Sequence, residues 1–235
     1  MNLSAFSDIL FKASIWVLPV IIAVTFHEVA HGVVANWLGD DTAYRQGRVN
    51  FNPLKHVDPF GTILLPALLL MARSPFLFGY AKPVPVNFGR LNHPKRDMIW
   101  VAAAGPGMNI LLAILSGLLI HLTPLLPGVV GPWASFNLSN SIVINIVLAV
   151  FNMLPLPPLD GGRVLVGLLP LSLARPFARI ERWGMFILIA VLFILPMVGR
   201  ELNMDLNVIS WLMGWPAEKL FEAIVWLTGS IAFFD

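Results

Sequence analysis

The sequence HEVAH occupies residues 27–31, inside an otherwise apolar run from Ile9 to Leu38. If this run is a helix, His27 and His31 lie one turn apart on the same face, where both imidazoles can reach a single metal ion. Glu28 is next to the pair and is suited to act as a base on a metal-bound water. Ionisable groups at membrane depth are costly. Their presence in this run therefore indicates a functional site rather than a solvated helix face.

The composition places this run in an integral membrane protein. Of the 235 residues, 57% are hydrophobic and 12% are charged, whereas ordinary soluble domains carry roughly 25% charged residues. Fifteen Lys and Arg against thirteen Asp and Glu leave a net charge of only +2, so the basic residues indicate membrane topology and not nucleic acid binding. Without cysteine, the available metal ligands are His, Asp and Glu.

Apolar segments separated by basic loops predict an all-α polytopic membrane protein with about four to six transmembrane helices. The Lys and Arg residues put the basic loops in the cytoplasm and the N-terminus outside. With no repeats or long linkers, we predict one domain over 1–235, with a motif-bearing core at about 10–165 and C-terminal helices at about 166–235. The clearest spans are expected at about residues 10–38, 98–124, 142–154 and 183–198.

Two apolar stretches leave alternatives open. Residues 62–71 are too short to cross a bilayer and have basic loops on both sides, which predicts a segment that re-enters on the same face. A tilted full span that extends to Phe78 is the alternative. Residues 208–234 are interrupted by GWPAEK and predict either a broken span or an interfacial helix.

The predicted topology brings a third possible ligand to the histidines. His27 and His31 lie roughly 10 to 17 Å from the cytoplasmic end of the first span at about 1.5 Å per residue. Asp160, in PLPPLDGGR, follows a later span that runs the opposite way and lies near its cytoplasmic end. Two histidines, one carboxylate and an open position for water suit zinc, and Glu28 would then transfer the proton during hydrolysis. A simple helix cap is the alternative role for Asp160.

Two further sets of residues belong to the predicted site. Asn109, Asn145 and Asn152 are polar groups inside apolar spans, which either stabilise an oxyanion or only join helices by hydrogen bonds. The segment KPVPVNF resists a helix and predicts a short β-like edge strand on the cytoplasmic side, where it could pair with an unwound substrate. A loop packed on the membrane face is the alternative. The proposed strand residues are Lys82, Pro83, Val84, Pro85, Val86 and Asn87.

Five motifs together resemble the site-2 protease family of intramembrane metalloproteases: HEVAH, NPLKHVDPFGTILLP, GYAKPVPVNF, AAGPGMN and FNMLPLPPLDGGR. By this resemblance His27, His31 and Asp160 match the family's zinc ligands and Glu28 its catalytic glutamate. Asn109 in the GPxxN motif resembles the polar residue that approaches the active site. The resemblance implies a three-span core and a site in the cytoplasmic half of the bilayer. The chain has no room for the PDZ or nucleotide-binding regulatory domain of larger relatives, so it resembles a compact member.

The sequence therefore predicts an intramembrane endopeptidase with one Zn²⁺ per chain, in a prokaryotic cell membrane. Its expected partners are the lipid bilayer and transmembrane segments of substrate proteins, cut by regulated intramembrane proteolysis after their helices unwind. A metal-ion or proton transporter could use the same intramembrane groups, but the chain lacks the expected inverted repeat. An inactive relative that serves as a binding partner is a third possibility, against which the intact HExxH and LDG motifs argue.

Overall fold

The computed structural model describes residues 3–71 and 79–234, and all regular structure within these ranges is helical. This confirms the prediction of an all-α protein. Four helices in the described ranges are long and apolar enough to cross a membrane, and charged residues are rare within them. The prediction of an integral membrane protein is confirmed as well. These helices are Ser7–Trp37, Pro94–Leu125, Val130–Asn152 and Glu181–Glu201.

The first helix, α1 (Leu3–Trp37), carries HEVAH close to its C-terminal end. The helix ends before Gly39, whose φ of 107° favours glycine over residues with a side chain. A short helix, α2 (Thr42–Arg45), follows. Between the two, the buried carboxylate of Asp40 accepts hydrogen bonds from the backbone N–H of Thr42 at 3.1 Å and of Asn87 at 2.6 Å. The end of α1 is thus fixed to a segment almost fifty residues further along the chain.

Two long helices, α4 (Pro94–Leu119) and α5 (Val130–Asn152), pack against α1 and against each other. The span predicted at 142–154 starts too late, because α5 begins at Val130. The polar residues in its first half find partners on neighbouring helices: Asn140 donates to the carbonyl of Ile15 at 2.7 Å, and Ser116 donates to Ser141 at 2.8 Å. These contacts allow the polar residues to lie within a transmembrane helix that begins twelve residues before the predicted start.

Between α2 and α4 the chain is mostly irregular. A π-helical turn at Pro59–Leu64 leads into α3 (Leu65–Met71). Where the described chain resumes, the N–H of Tyr80 donates to the carbonyl of Gly61 at 3.1 Å, so the two ends of the segment lie side by side. The re-entrant path and its alternative, a full span extended to Phe78, depend partly on residues 72–78, which lie outside the described ranges, and the re-entry stays a prediction.

The C-terminal third is helical throughout most of its described length. Short helices α6 (Asp160–Leu168) and α7 (Leu171–Arg179) precede α8 (Glu181–Ile189), which continues through a π-helical turn into α9 (Leu195–Glu201). The last long helix, α10 (Val208–Thr228), runs through Pro216 without interruption, so the broken span is wrong, whereas the interfacial helix stays a prediction. Packing explains its continuity, since Ile224 is buried with Ala113, Ile142 and Ile146 on α4 and α5.

Candidate metal centre

Three buried side chains converge where α1 meets α6. The Nε2 atoms of His27 and His31 lie 3.0 Å apart, and Oδ2 of Asp160 lies 3.2 Å from the first and 3.4 Å from the second. Among the described residues, these three form a group whose ligand atoms could hold one metal ion. The helical spacing predicted from HEVAH brings the histidines together, and Asp160 joins them from more than a hundred residues away.

Hydrogen bonds at the far side of each imidazole fix which nitrogen faces the cluster. Nδ1 of His31 lies 2.7 Å from the backbone carbonyl of Val101, which can only accept, so this nitrogen carries the proton. Nδ1 of His27 lies 2.6 Å from Oδ1 of Asn109 and donates in the same way. Both Nε2 atoms therefore direct lone pairs at the carboxylate of Asp160. Bonding of the second ring nitrogen in this manner is typical of metal-ligating histidines.

The donor set fits a zinc ion. Oδ2 of Asp160 is buried and has no hydrogen-bond donor among the described residues. Its lone pairs and those of the two Nε2 atoms therefore face one another, as they would around a metal ion. Around a tetrahedral zinc with bonds of 2.0–2.1 Å, neighbouring ligand atoms are separated by about 3.3 to 3.4 Å. The observed separations of 3.0, 3.2 and 3.4 Å are close to this range, and the two Nε2 atoms would need to move only slightly apart. The three side chains could therefore hold one metal ion.

Asp160 reaches the cluster because it begins α6 immediately after a tight proline-rich turn. Side chains at Gly161 and Gly162 would collide with the backbone of that turn, between Met153 and Pro157, so the close approach requires glycine there. A metal ligand must be the carboxylate form of Asp160, and a cation held beside it would favour that form.

Glu28 lies beside the histidines and contacts the irregular segment between α3 and α4. Its Oε2 accepts a hydrogen bond of 2.8 Å from the backbone N–H of Val84. The N–H of Asn87 binds Asp40, so two carboxylates hold the segment against α1. Within residues 82–87 the N–H of Lys82 donates to the carbonyl of His56 at 2.9 Å, but no regular strand forms. The predicted edge strand is not confirmed.

The three asparagines separate into two locations. Asn109 and Asn145 are fully buried behind His27, on the side away from Asp160, and they are hydrogen-bonded to each other at 2.8 Å. Asn152 instead lines the cavity that contains the cluster, and its amide donates to the carbonyl of Leu148 at 3.0 Å. The sequence offered no means of separating these positions.

A cavity of about 340 Å³ connects the cluster to the segment and to the C-terminal helices. Its lining is mostly apolar, as is common for ligand-binding cavities. Its lining includes His27, Glu28, His31 and Asp160 together with Val84, Val86, Asn152, Arg163, Met185 and Leu188.

Several residues near the site were not predicted from the sequence. Arg163 lies one helical turn after Asp160, pairs with Glu181 at 3.0 Å and stands 5.4 Å from the ring centre of Phe88. Arg48 donates to the carbonyls of Lys82 at 2.8 Å and Pro83 at 3.3 Å, which ties the segment to the loop after α2.

Gly105 is also close to the cluster, because a Cβ at this position would press on both of its imidazoles. The other histidines lie elsewhere. His56 contacts the carbonyl of Asn50 at 2.7 Å, His121 contacts that of Thr228 at 2.9 Å, and His93 precedes α4.

Two histidines, one aspartate and an adjacent glutamate thus surround a cavity in a membrane-embedded helical bundle. This combination is typical of membrane metallohydrolases. Comparison with known proteins specifies the class further. The sequence profile of peptidase family M50 matches residues 130–195, which include Asp160. The chain is 40% identical over 195 residues to YwhC of Bacillus subtilis (strain 168), named as a candidate zinc metalloprotease, and this match covers 81% of the chain and 85% of YwhC.

More distant matches agree. Rip2 of Mycolicibacterium smegmatis, also named as a candidate zinc metalloprotease, is 28% identical over 182 residues, which are 77% of the chain and 66% of Rip2. Rip2 of Mycobacterium tuberculosis is 27% identical over 176 residues, or 75% of the chain and 65% of that protein. No solved structure matches the chain. The chain belongs to peptidase family M50 and is a zinc metalloprotease, which confirms the predicted resemblance to site-2 proteases.

Proposed function

We propose that this protein is an intramembrane endopeptidase in which His27, His31 and Asp160 hold one Zn²⁺ and Glu28 is the catalytic base. One observation carries the proposal: three lone-pair-bearing atoms within 3.4 Å of one another, on helices that include a membrane span, with a glutamate at their side. The transporter alternative gives Glu28 no role and is not favoured by the relationship to peptidases.

A zinc ion held by His27, His31 and Asp160 would supply Lewis acidity toward a peptide carbonyl and would lower the pKa of a bound water. Glu28 takes the proton of the attacking water and returns it to the leaving amine. Asn152 lines the cavity and has a second amide N–H besides the one bound to Leu148. It is therefore our candidate for the donor that stabilises the oxyanion, whereas Asn109 and Asn145 lie behind His27.

Residues 82–87 would hold the substrate in an extended form. A transmembrane helix must unwind before hydrolysis, because its carbonyls are otherwise hydrogen-bonded within the helix. Pro83 and Pro85 have no N–H, whereas Val84 and Val86 line the cavity beside Glu28. The segment is held by the carboxylates of Glu28 and Asp40, and Arg48 already binds the carbonyls of Lys82 and Pro83. An unwound strand would therefore pair with the carbonyls of residues 84–86.

We place the site in the cytoplasmic half of a prokaryotic cell membrane, in a chain of one domain. His27 and His31 precede the end of α1 at Trp37 by ten and six residues, about 15 and 9 Å at 1.5 Å per residue. The loop that follows α1 carries Arg45, Arg48 and Lys55, which favours the cytoplasm. The named relatives are bacterial.

The test compares the wild type with Glu28→Gln in detergent and in proteoliposomes. We expect both proteins to contain one equivalent of zinc by elemental analysis, because Glu28 is not a ligand. Only the wild type should cleave a panel of single-span membrane proteins whose spans contain helix-destabilising residues, read by mass spectrometry of the products. Full cleavage by Glu28→Gln, or zinc flux into sealed vesicles without any cleavage by the wild type, would refute the proposal.

A further inference from the structure

A continuous chain of side-chain amides runs from His27 into the interface between α4 and α5. Asn109 contacts Nδ1 of His27 at 2.6 Å through its oxygen, and its nitrogen donates to the oxygen of Asn145 at 2.8 Å. The nitrogen of Asn145 donates to the backbone carbonyl of Ser141 at 2.8 Å. Both amides are completely buried. Because an unmatched buried amide is costly, each donor in this chain must face an acceptor.

The orientation of the chain is set from its far end. The carbonyl of Ser141 can only accept, so Asn145 must present its NH₂ group there and its oxygen toward Asn109. Asn109 must then present its NH₂ group to Asn145, which leaves its oxygen for His27. An oxygen at that position requires the proton of His27 to be on Nδ1. The Nε2 lone pair consequently faces Asp160 and is free to bind a metal.

We propose that Asn145 is a positioning residue for the metal ligand His27, acting through Asn109 on the tautomer and orientation of the imidazole. The inference rests on the proposed role of His27 as a zinc ligand. Without Asn145, the amide of Asn109 can rotate by half a turn and offer its NH₂ group to Nδ1. The proton of His27 then moves to Nε2, where it occupies the lone pair that the metal needs.

His27 differs from His31 in this dependence. The Nδ1 atom of His31 binds the backbone carbonyl of Val101, which no side-chain rotation can replace by a donor. The second contact of Asn109 is to the carbonyl of Ala23 at 3.3 Å, longer than its contact with Asn145 and so a weaker constraint. The orientation of Asn109 therefore depends mainly on Asn145, which reaches His27 only through Asn109.

The experiment measures the zinc dissociation constant of detergent-solubilised protein by competition with a chelator. Asn145→Leu removes the acceptor and should weaken zinc binding by about tenfold or more, the usual loss when a ligand loses its outer partner. Asn145→Asp keeps an oxygen toward Asn109 in either protonation state and should bind zinc within a few-fold of the wild type. If the leucine variant does not fold, Asn145→Ser takes its place in the test. Serine is too short to reach Asn109 and small enough to be accommodated, so it should weaken zinc binding by a similar factor.

Asn140→Leu is the matched control. Asn140 lies on the same helix and donates to a backbone carbonyl of α1, that of Ile15, at 2.7 Å, about three helical turns before His27. Within the described part of the chain, it is not hydrogen-bonded to the cluster or to Asn109. Its loss should lower thermal stability while leaving zinc affinity unchanged. The visible spectrum of the Co²⁺-substituted protein should change in Asn145→Leu and not in Asn140→Leu.

The outcomes distinguish this inference from the proposed function. If the wild type binds zinc and Asn145→Leu binds it equally tightly, or if Asn140→Leu loses as much affinity, Asn145 only joins helices and the positioning role is wrong. If the wild type itself binds no zinc after purification without chelators, the proposed metal site fails first.

Discussion

Gly105 packs directly against both imidazoles of the candidate metal centre. Any Cβ there would meet Nε2 of His31 and lie 2.6 Å from Nε2 of His27, on the edges that face the metal position. We expect Gly105→Ala to displace one imidazole and to lower zinc affinity by about tenfold or more, as measured by chelator competition. Cleavage should be lost with it.

Gly107→Ala provides the control for this substitution. Gly107 lies two residues further along α4, and a Cβ there would have no heavy atom within 4 Å. Its zinc content and cleavage rate should equal those of the wild type. A Gly105→Ala protein that retains a full equivalent of tightly bound zinc would contradict the close approach of α4 to the cluster.

The irregular segment, residues 79–87, packs against the proposed catalytic base, Glu28. It is held by Glu28 at Val84 and by Asp40 at Asn87, and Asp40 is fully buried. Asp40→Ala leaves the N–H groups of Thr42 and Asn87 without their acceptor, at a cost of about 1 to 3 kcal/mol each. We expect a lower melting temperature and a reduced cleavage rate with unchanged zinc content, because the ligands lie elsewhere.

Asp205→Ala serves as the comparison for Asp40→Ala. Asp205 also accepts a hydrogen bond from a backbone N–H, that of Asn207 at 3.0 Å, but it is exposed and remote in sequence from the segment. Its replacement should change neither stability nor cleavage measurably. Unchanged cleavage in Asp40→Ala would mean that the segment does not need this anchor to support catalysis.

Sequence reasoning succeeded where one regular element determines the geometry. The separation of His27 and His31 follows from helical periodicity alone, and the direction of successive spans was enough to bring Asp160 to them. It did not separate Asn152 from Asn109, because the location of a polar residue depends on the rotation of its helix against neighbours. The start of α5 was also misplaced, because the sequence does not show that polar residues such as Asn140 have partners on neighbouring helices.

The topology of the whole fold predicts which loops face the cytoplasm. This prediction is simple to test with single cysteines, because the sequence contains none. Gln46, in the basic loop after α1, and Val129, in the turn between α4 and α5, are both exposed and lie at opposite ends of the long helices. If the basic loops are cytoplasmic, a membrane-impermeant maleimide added to intact cells should label Val129→Cys and leave Gln46→Cys unmodified until the membrane is opened. Both variants should keep wild-type zinc content, which shows that labelling reports the native fold. Labelling of Gln46→Cys from outside would invert the topology and move the metal centre to the outer half of the bilayer.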